Sequence, residues 1–273
     1  MREQRKGISK EMVHKHWYVL AILLLGILAL SFVVRDPIAR IMWYDHQSFK
    51  WGYALSYTDE KLLMDIGNYY FSDRYRNLNL ALEAYTKAVE IEPAVLWGNY
   101  QISRIHFIRG EFEDALISIN KELEANPENL RSLYVRGLIY GYRGKDGDLE
   151  KSEQDFKQFT LWAPREWAGY NDYAWILSLL GKHWKAKEVI ISAFEKVPDA
   201  ENNAWLWNTL GVAELNLGEY RNAKMSFNKA QSLTDSMTIE DWNLAYPGND
   251  PVDRENGLSE FKKAIEVNLS TTL

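Results

Sequence analysis

The residues best able to do chemistry are scattered rather than assembled. The five histidines are His14, His16, His46, His106 and His183. No two stand four apart beside a glutamate, the spacing that sets two imidazoles on one helix face around zinc. His106 falls on a helix and reads as a packed or groove side chain. The chain contains no cysteine, so thiolate ligands, disulfides and a thiol nucleophile are all missing. Glu111 and Glu113 sit in a polar turn and read as solvated. Asp172 and Glu214 have no neighbour at a motif spacing that would make either an acid or a base. Gly141-Tyr142-Arg143-Gly144 follows a helix, whereas a loop that cradles phosphate follows a strand. The expectation is a protein that is not an enzyme, with no catalytic residue, no cofactor and no bound metal.

What does recur is packing. Gly67, Ser103, Gly137, Ala174, Gly211 and Ala245 follow one another at nearly even intervals. Ala81, Ala115, Ser152, Ala186, Ala223 and Gly257 keep step with them. One helical turn after each of these comes Tyr85, Ile119, Phe156, Ile190, Phe227 or Phe261. Pro93, Pro127, Pro164 and Pro198 mark where second helices must end, because proline cannot continue a helix. Gly110, Gly144, Gly181 and Gly218 suit the left-handed turn that stops a first helix. A period of about 34 residues describes units too small to bury their own apolar face, which therefore stack.

The clearest unit runs Trp207-Asn208-Thr209-Leu210-Gly211, then Gly218-Glu219-Tyr220, Ala223, Phe227 and Ala230. This resembles the tetratricopeptide repeat. The resemblance covers residues 60–269 as units at about 60–93, 96–127, 130–164, 167–198, 204–235 and 238–269. It implies an all-α fold, a solenoid of about six helix pairs. Trp207, Leu210 and Phe227 are expected to fill the space between the two helices of their pair. The first unit has a longer turn, the third carries extra residues at Gly144–Asp148, and the last is broken at Pro247–Pro251, a plain turn by composition. Its second helix, Leu258 to Val267, reads normally, as befits a terminal cap.

Ahead of the repeats, Trp17 to Val34 is an unbroken apolar run without charge. As a helix at ~1.5 Å per residue it reaches about 27 Å, near the ~30 Å of a hydrocarbon layer. It reads as a single transmembrane helix (17–34) between a basic tail (1–16) and an aromatic-rich connector (35–59). The connector is expected to be helical, lying at the membrane surface and capping the first repeat. A cleaved leader is the rival, with Ala29-Leu30-Ser31 as its cleavage site, but Phe32-Val33-Val34 prolongs the run beyond it. Five basic residues precede the span and three follow in a similar length. The excess favours a cytoplasmic N-terminus and an extracytoplasmic repeat domain, periplasmic or external in a bacterium.

From Met1 to Arg40 the chain carries a net +4, so of the total −6 the remainder holds −10. An acidic repeat domain argues against nucleic acid as a partner, which needs basic surface. In stacks of this kind the first helices line a concave face. One helical face there carries Trp97, Tyr100, Arg104 and Phe107, then Arg131, Tyr134, Leu138 and Tyr142, then Asn171 and Trp175, then Trp205 and Asn208. These residues form the expected partner-binding groove, suited to a peptide or protein. Family members that clamp a terminal carboxylate use lysine and asparagine, but Met64, Tyr100, Tyr134, Asn171 and Asn208 hold the lysine places here, so that clamp is not expected. The implied role is an anchored interaction scaffold in assembly or quality control of an envelope complex. Two alternatives stay open: a glycan-binding accessory of envelope polysaccharide synthesis, and a cytosol-facing receptor for incoming proteins.

Overall fold

The computed structural model describes residues 10–72, 74–245 and 256–272. The basic residues before Lys10 and the Pro247–Pro251 turn lie outside the described residues. Among the described residues every regular element is helical. The chain divides into two compact units, Met1–Val95 and Leu96–Leu273.

Unit 1 starts with α1 (Lys10–Val33), which is long and apolar enough to cross a membrane. α2 (Arg35–Tyr44) and α3 (Phe49–Leu55) form a short hairpin, followed by the helix pair α4 (Glu60–Phe71) and α5 (Leu78–Ile91). Asp59 accepts the N–H of Leu62 and Asn77 that of Leu80, so each helix of the pair begins on a side-chain cap. The connector is helical and packs on the first pair. Ala39 and Trp43 of α2 share a buried cluster with Leu62, Ile66 and Ala84.

Unit 2 holds α6 (Gly98–Ile108), α7 (Phe112–Ala125), α8 (Leu130–Arg143), α9 (Asp148–Trp162), α10 (Trp167–Leu179), α11 (His183–Lys196), α12 (Ala204–Asn216), α13 (Tyr220–Asp235), α14 (Ile239–Ala245) and α15 (Gly257–Ser270). The first helices α6, α8, α10 and α12 are each followed by a glycine with φ between 60° and 75°. Each of the four repeat prolines stands two residues past the end of a second helix.

One packing device recurs. A Cβ added to Gly67 would stand 2.4 Å from the Tyr85 ring, one on Gly137 3.0 Å from Phe156, and one on Gly211 2.5 Å from Phe227. Those rings are fully buried, a gain of about 1.5–3 kcal/mol apiece. Where serine replaces glycine, backbone oxygen satisfies it: Ser103 donates to the carbonyl of Ala115 at 2.8 Å. From the opposite helix, Ser152 donates to that of Gly137 at 2.7 Å.

Two arrangements differ from expectation. Trp207 does not fill its own pair; it packs on Phe194 of α11, ring centroids 4.6 Å apart, with its indole N–H on the Glu201 carbonyl. The reason is that Phe227 already occupies the gap beside Gly211. The terminal pair is also rearranged. α15 packs on α13, and its Asn268 donates to Asn208 of α12. It thus takes the place a first helix would hold, whereas its sequence reads as a second helix.

Candidate binding groove

The groove is built from the starts and faces of successive first helices. Tyr100 and Arg104 on α6, Arg131, Tyr134, Leu138 and Tyr142 on α8, Asn171 and Trp175 on α10, and Trp205 and Asn208 on α12 all line one cavity of about 630 Å³. Ten of the twelve residues expected from sequence therefore meet at one place.

Trp97 and Phe107 do not join them. Trp97 is the residue before α6 and has a left-handed backbone, φ 71°. Its ring lies 5.8 Å from the Arg131 guanidinium and lines a neighbouring hollow with Pro127 and Leu130. Phe107 is 1% exposed, buried behind Tyr142 at 5.5 Å.

The cavity has two chemically distinct ends. Toward α6 and α8 are the two arginines. Arg104 donates to Gln101 at 3.1 Å and stands 5.5 Å from the Tyr100 ring centroid. Toward α12 and α15 the wall is aromatic. The Trp205 ring lies 5.1 Å from Trp167, 5.2 Å from Trp242 and 5.4 Å from Phe261, the last nearly parallel at 13°. Between the ends runs a polar seam. Tyr134 donates its hydroxyl to Asp172, Asn171 donates to Asp172 at 3.0 Å, and Thr209 donates to Asn171 at 2.7 Å. Asp172, buried on α10, holds α8 through Tyr134, and its neighbour Asn171 carries the seam on to α12 through Thr209.

Several lining residues escape a reading of one helical face. Phe159 enters from α9 because Gly169 leaves room: a Cβ there would stand 2.4 Å from its ring. Gly169, falling outside the regular small-residue rhythm, was the signal. Phe261 arrives through the displaced α15, Trp167 and Glu166 stand one and two residues ahead of the place that Arg131 and Trp205 hold in their units, and Trp242 holds in the sixth unit the place of Asn208 in the fifth.

Ion pairs on buried carboxylates join these helices to their neighbours. Arg136 donates to both oxygens of Asp155 at 2.7 and 2.8 Å and to Asn120 at 3.1 Å, joining α7, α8 and α9. Burial raises the Asp155 carboxyl above its ordinary range, partly offset by Arg136. Arg143 clamps Asp148 at 2.7 and 2.8 Å and holds that carboxyl below its ordinary value. Glu214 accepts from Ser226 at 2.7 Å and stands 3.5 Å from Lys187, outside the cavity lining. His106, Glu111 and Asp114 come within 4.8 Å of one another in the α6–α7 turn. The His106–Glu111 contact of 2.6 Å is a surface pair with both carboxylates exposed.

A tetratricopeptide-repeat family model matches residues 206–236. No curated protein sequence matches the chain. Among solved structures it is similar to MamA 41-end from Desulfovibrio magneticus RS-1, at 17% identity and a TM-score of 0.58, over 66% of this chain and 97% of that one. It is similar to YrrB, described as a repeat protein with an unusual peptide-binding site, at 16% and 0.56, over 69% and 93%. It is also similar to pilF of Pseudomonas aeruginosa, at 15% and 0.55, over 77% and 88%. Proteins of this fold are generally protein-interaction scaffolds. The chain carries a tetratricopeptide repeat at residues 206–236 and has the fold of proteins built from such repeats.

Proposed function

We propose that the chain is a membrane-anchored scaffold, without catalysis of its own, that seats a peptide segment of a protein partner in the α6–α12 groove. The observation that carries this reading is a cavity of about 630 Å³ lined by four successive first helices. That volume suits a short segment rather than a whole domain. The lining specifies its chemistry. An acidic side chain fits beside Arg104 and Arg131, and an apolar one against the edges of Trp167 and Trp242. Sugar stacking needs an open ring face, and Trp205, only 7% exposed, is enclosed by the rings of Trp167, Trp242 and Phe261. The two arginines at one end and the enclosed aromatic wall at the other favour a peptide over a glycan. The peptide-binding site for which YrrB is described supports the same use of the fold.

The apolar α1 supplies the anchor. The basic excess before it supports a cytoplasmic N-terminus with the repeats outside, in assembly or quality control of an envelope complex.

The test is a photo-crosslinking side chain at Asn208 in the full-length chain in its native membrane, with and without Arg131→Glu. Arg131 is exposed, so the fold should survive the change. Capture is expected to fall roughly 30-fold, about 2 kcal/mol for one anchoring contact. Adducts unchanged by the substitution would place the partner elsewhere. Protease added to spheroplasts is expected to digest the repeats; protection would favour the cytosol-facing receptor.

A further inference from the structure

α1 does not end in a flexible leash. The N–H of Val34 bonds the Leu30 carbonyl and that of Ile38 bonds the Val34 carbonyl, both at 3.1 Å, so the helical ladder passes from α1 into α2. The charges that follow the apolar stretch are each held by unit 1 itself. Arg35 lies between the rings of Phe32 and Tyr57, 4.6 and 5.9 Å from their centroids. Asp36 accepts the N–H of Tyr57 at 2.6 Å and that of Thr58 at 3.2 Å, along with the Thr58 hydroxyl. Arg40 donates twice to Asp59, at 2.6 and 2.9 Å. Beside this satisfied cluster the apolar side chains Ile38 (41% exposed), Ile41 (51%) and Tyr57 (58%) remain open.

We propose that unit 1 docks on the bilayer surface, with the outer face of α2 at Ile38 and Ile41 and the α3–α4 turn at Tyr57 immersed in the phospholipid headgroup layer. The proposal rests on the membrane-anchor reading and adds to it a fixed seat. Two physical facts point to it. Residues 17–34 reach about 27 Å, short of the ~30 Å hydrocarbon layer, so a seat above them draws α2 into the interface. Ions paired within the protein also cost less to bring into a region of low dielectric than hydrated, unpaired ones. Tyrosine with an exposed ring and a polar tip favours that layer.

The native chain has no cysteine, so single labels can be placed without background. Full-length chain would be prepared in phosphatidylcholine nanodiscs with a nitroxide on Ile27→Cys, Ile41→Cys, Tyr57→Cys or Lys121→Cys. Accessibility to oxygen against a nickel chelate reports depth. Labels at 41 and 57 are expected between the values at 27, in the hydrocarbon, and 121, in water. If they match the label at 121 while 27 stays buried, the docked seat is wrong and the anchor stands. If 27 itself reports water, both fall. Should Tyr57→Cys unfold unit 1 by circular dichroism, the exposed Ile41 position decides alone.

Discussion

In unit 1 the rings of Trp43, Phe49, Tyr69 and Tyr70 face one another, with centroids 5.1 to 5.9 Å apart, because the α2–α3 hairpin covers α4. In unit 2, among the described residues, no such hairpin covers α6, α8, α10 and α12, and their Tyr, Trp and Arg side chains look into a shared hollow. The same helix-pair grammar operates in both. Gly67 against Tyr85 and Gly211 against Phe227 are near-identical contacts. What separates a core from an open groove here is therefore which face has been left uncovered, and aromatic content alone does not decide it.

The sharpest way to break the comparison is to remove the shared contact in one unit at a time. Phe227→Ala should cost about 4 kcal/mol and lower the melting of unit 2 while leaving that of unit 1 in place. Tyr85→Ala should do the reverse. Calorimetry that showed a single transition moving in both variants would mean that the two units fold as one.

A smaller effect comes from acid. The Asp148 carboxyl sits below its ordinary 3.8 because Arg143 and the Lys145 N–H bond its charged form. Its contribution is present above that value and disappears as pH falls through the lower folded one. Asp148→Asn should cost about 2 kcal/mol at neutral pH and flatten the acid side of the unit 2 stability curve. Urea unfolding from pH 7 to 2 measures both. An unchanged slope below pH 4 would show that Asp148 does not govern it.

The seam through the groove is weaker still. Thr209→Val should cost about 1 kcal/mol, since water in the open cavity can replace the lost bond to Asn171. Its melting should shift less than that of Asp148→Asn, and a larger shift would reveal a seam that holds the helices together.

The repeat architecture was legible because its signals are contacts. A glycine or serine facing a ring, or a proline two residues beyond a helix, tolerates few substitutes. The groove was legible for the residues on the central face of α8, where side chains follow ideal periodicity. It failed at Trp97 because a left-handed residue before α6 redirects the ring, and at Phe107 because Tyr142 from the next pair overlies it. It failed again at Phe261, since α15 has a second helix's sequence in a first helix's place. Such errors come from tertiary packing, which no single helix encodes.

The start of α6 carries a consequence for how the chain can vary. Glu122, 1% exposed, accepts the N–H groups of Trp97 and Tyr100 at 3.1 and 3.2 Å and the side-chain amides of Asn126 and Asn129 at 2.9 and 3.2 Å. The opening turn of unit 2 is thereby organised from its own α7. Insertions around Ala94 should therefore leave the start of α6 in place.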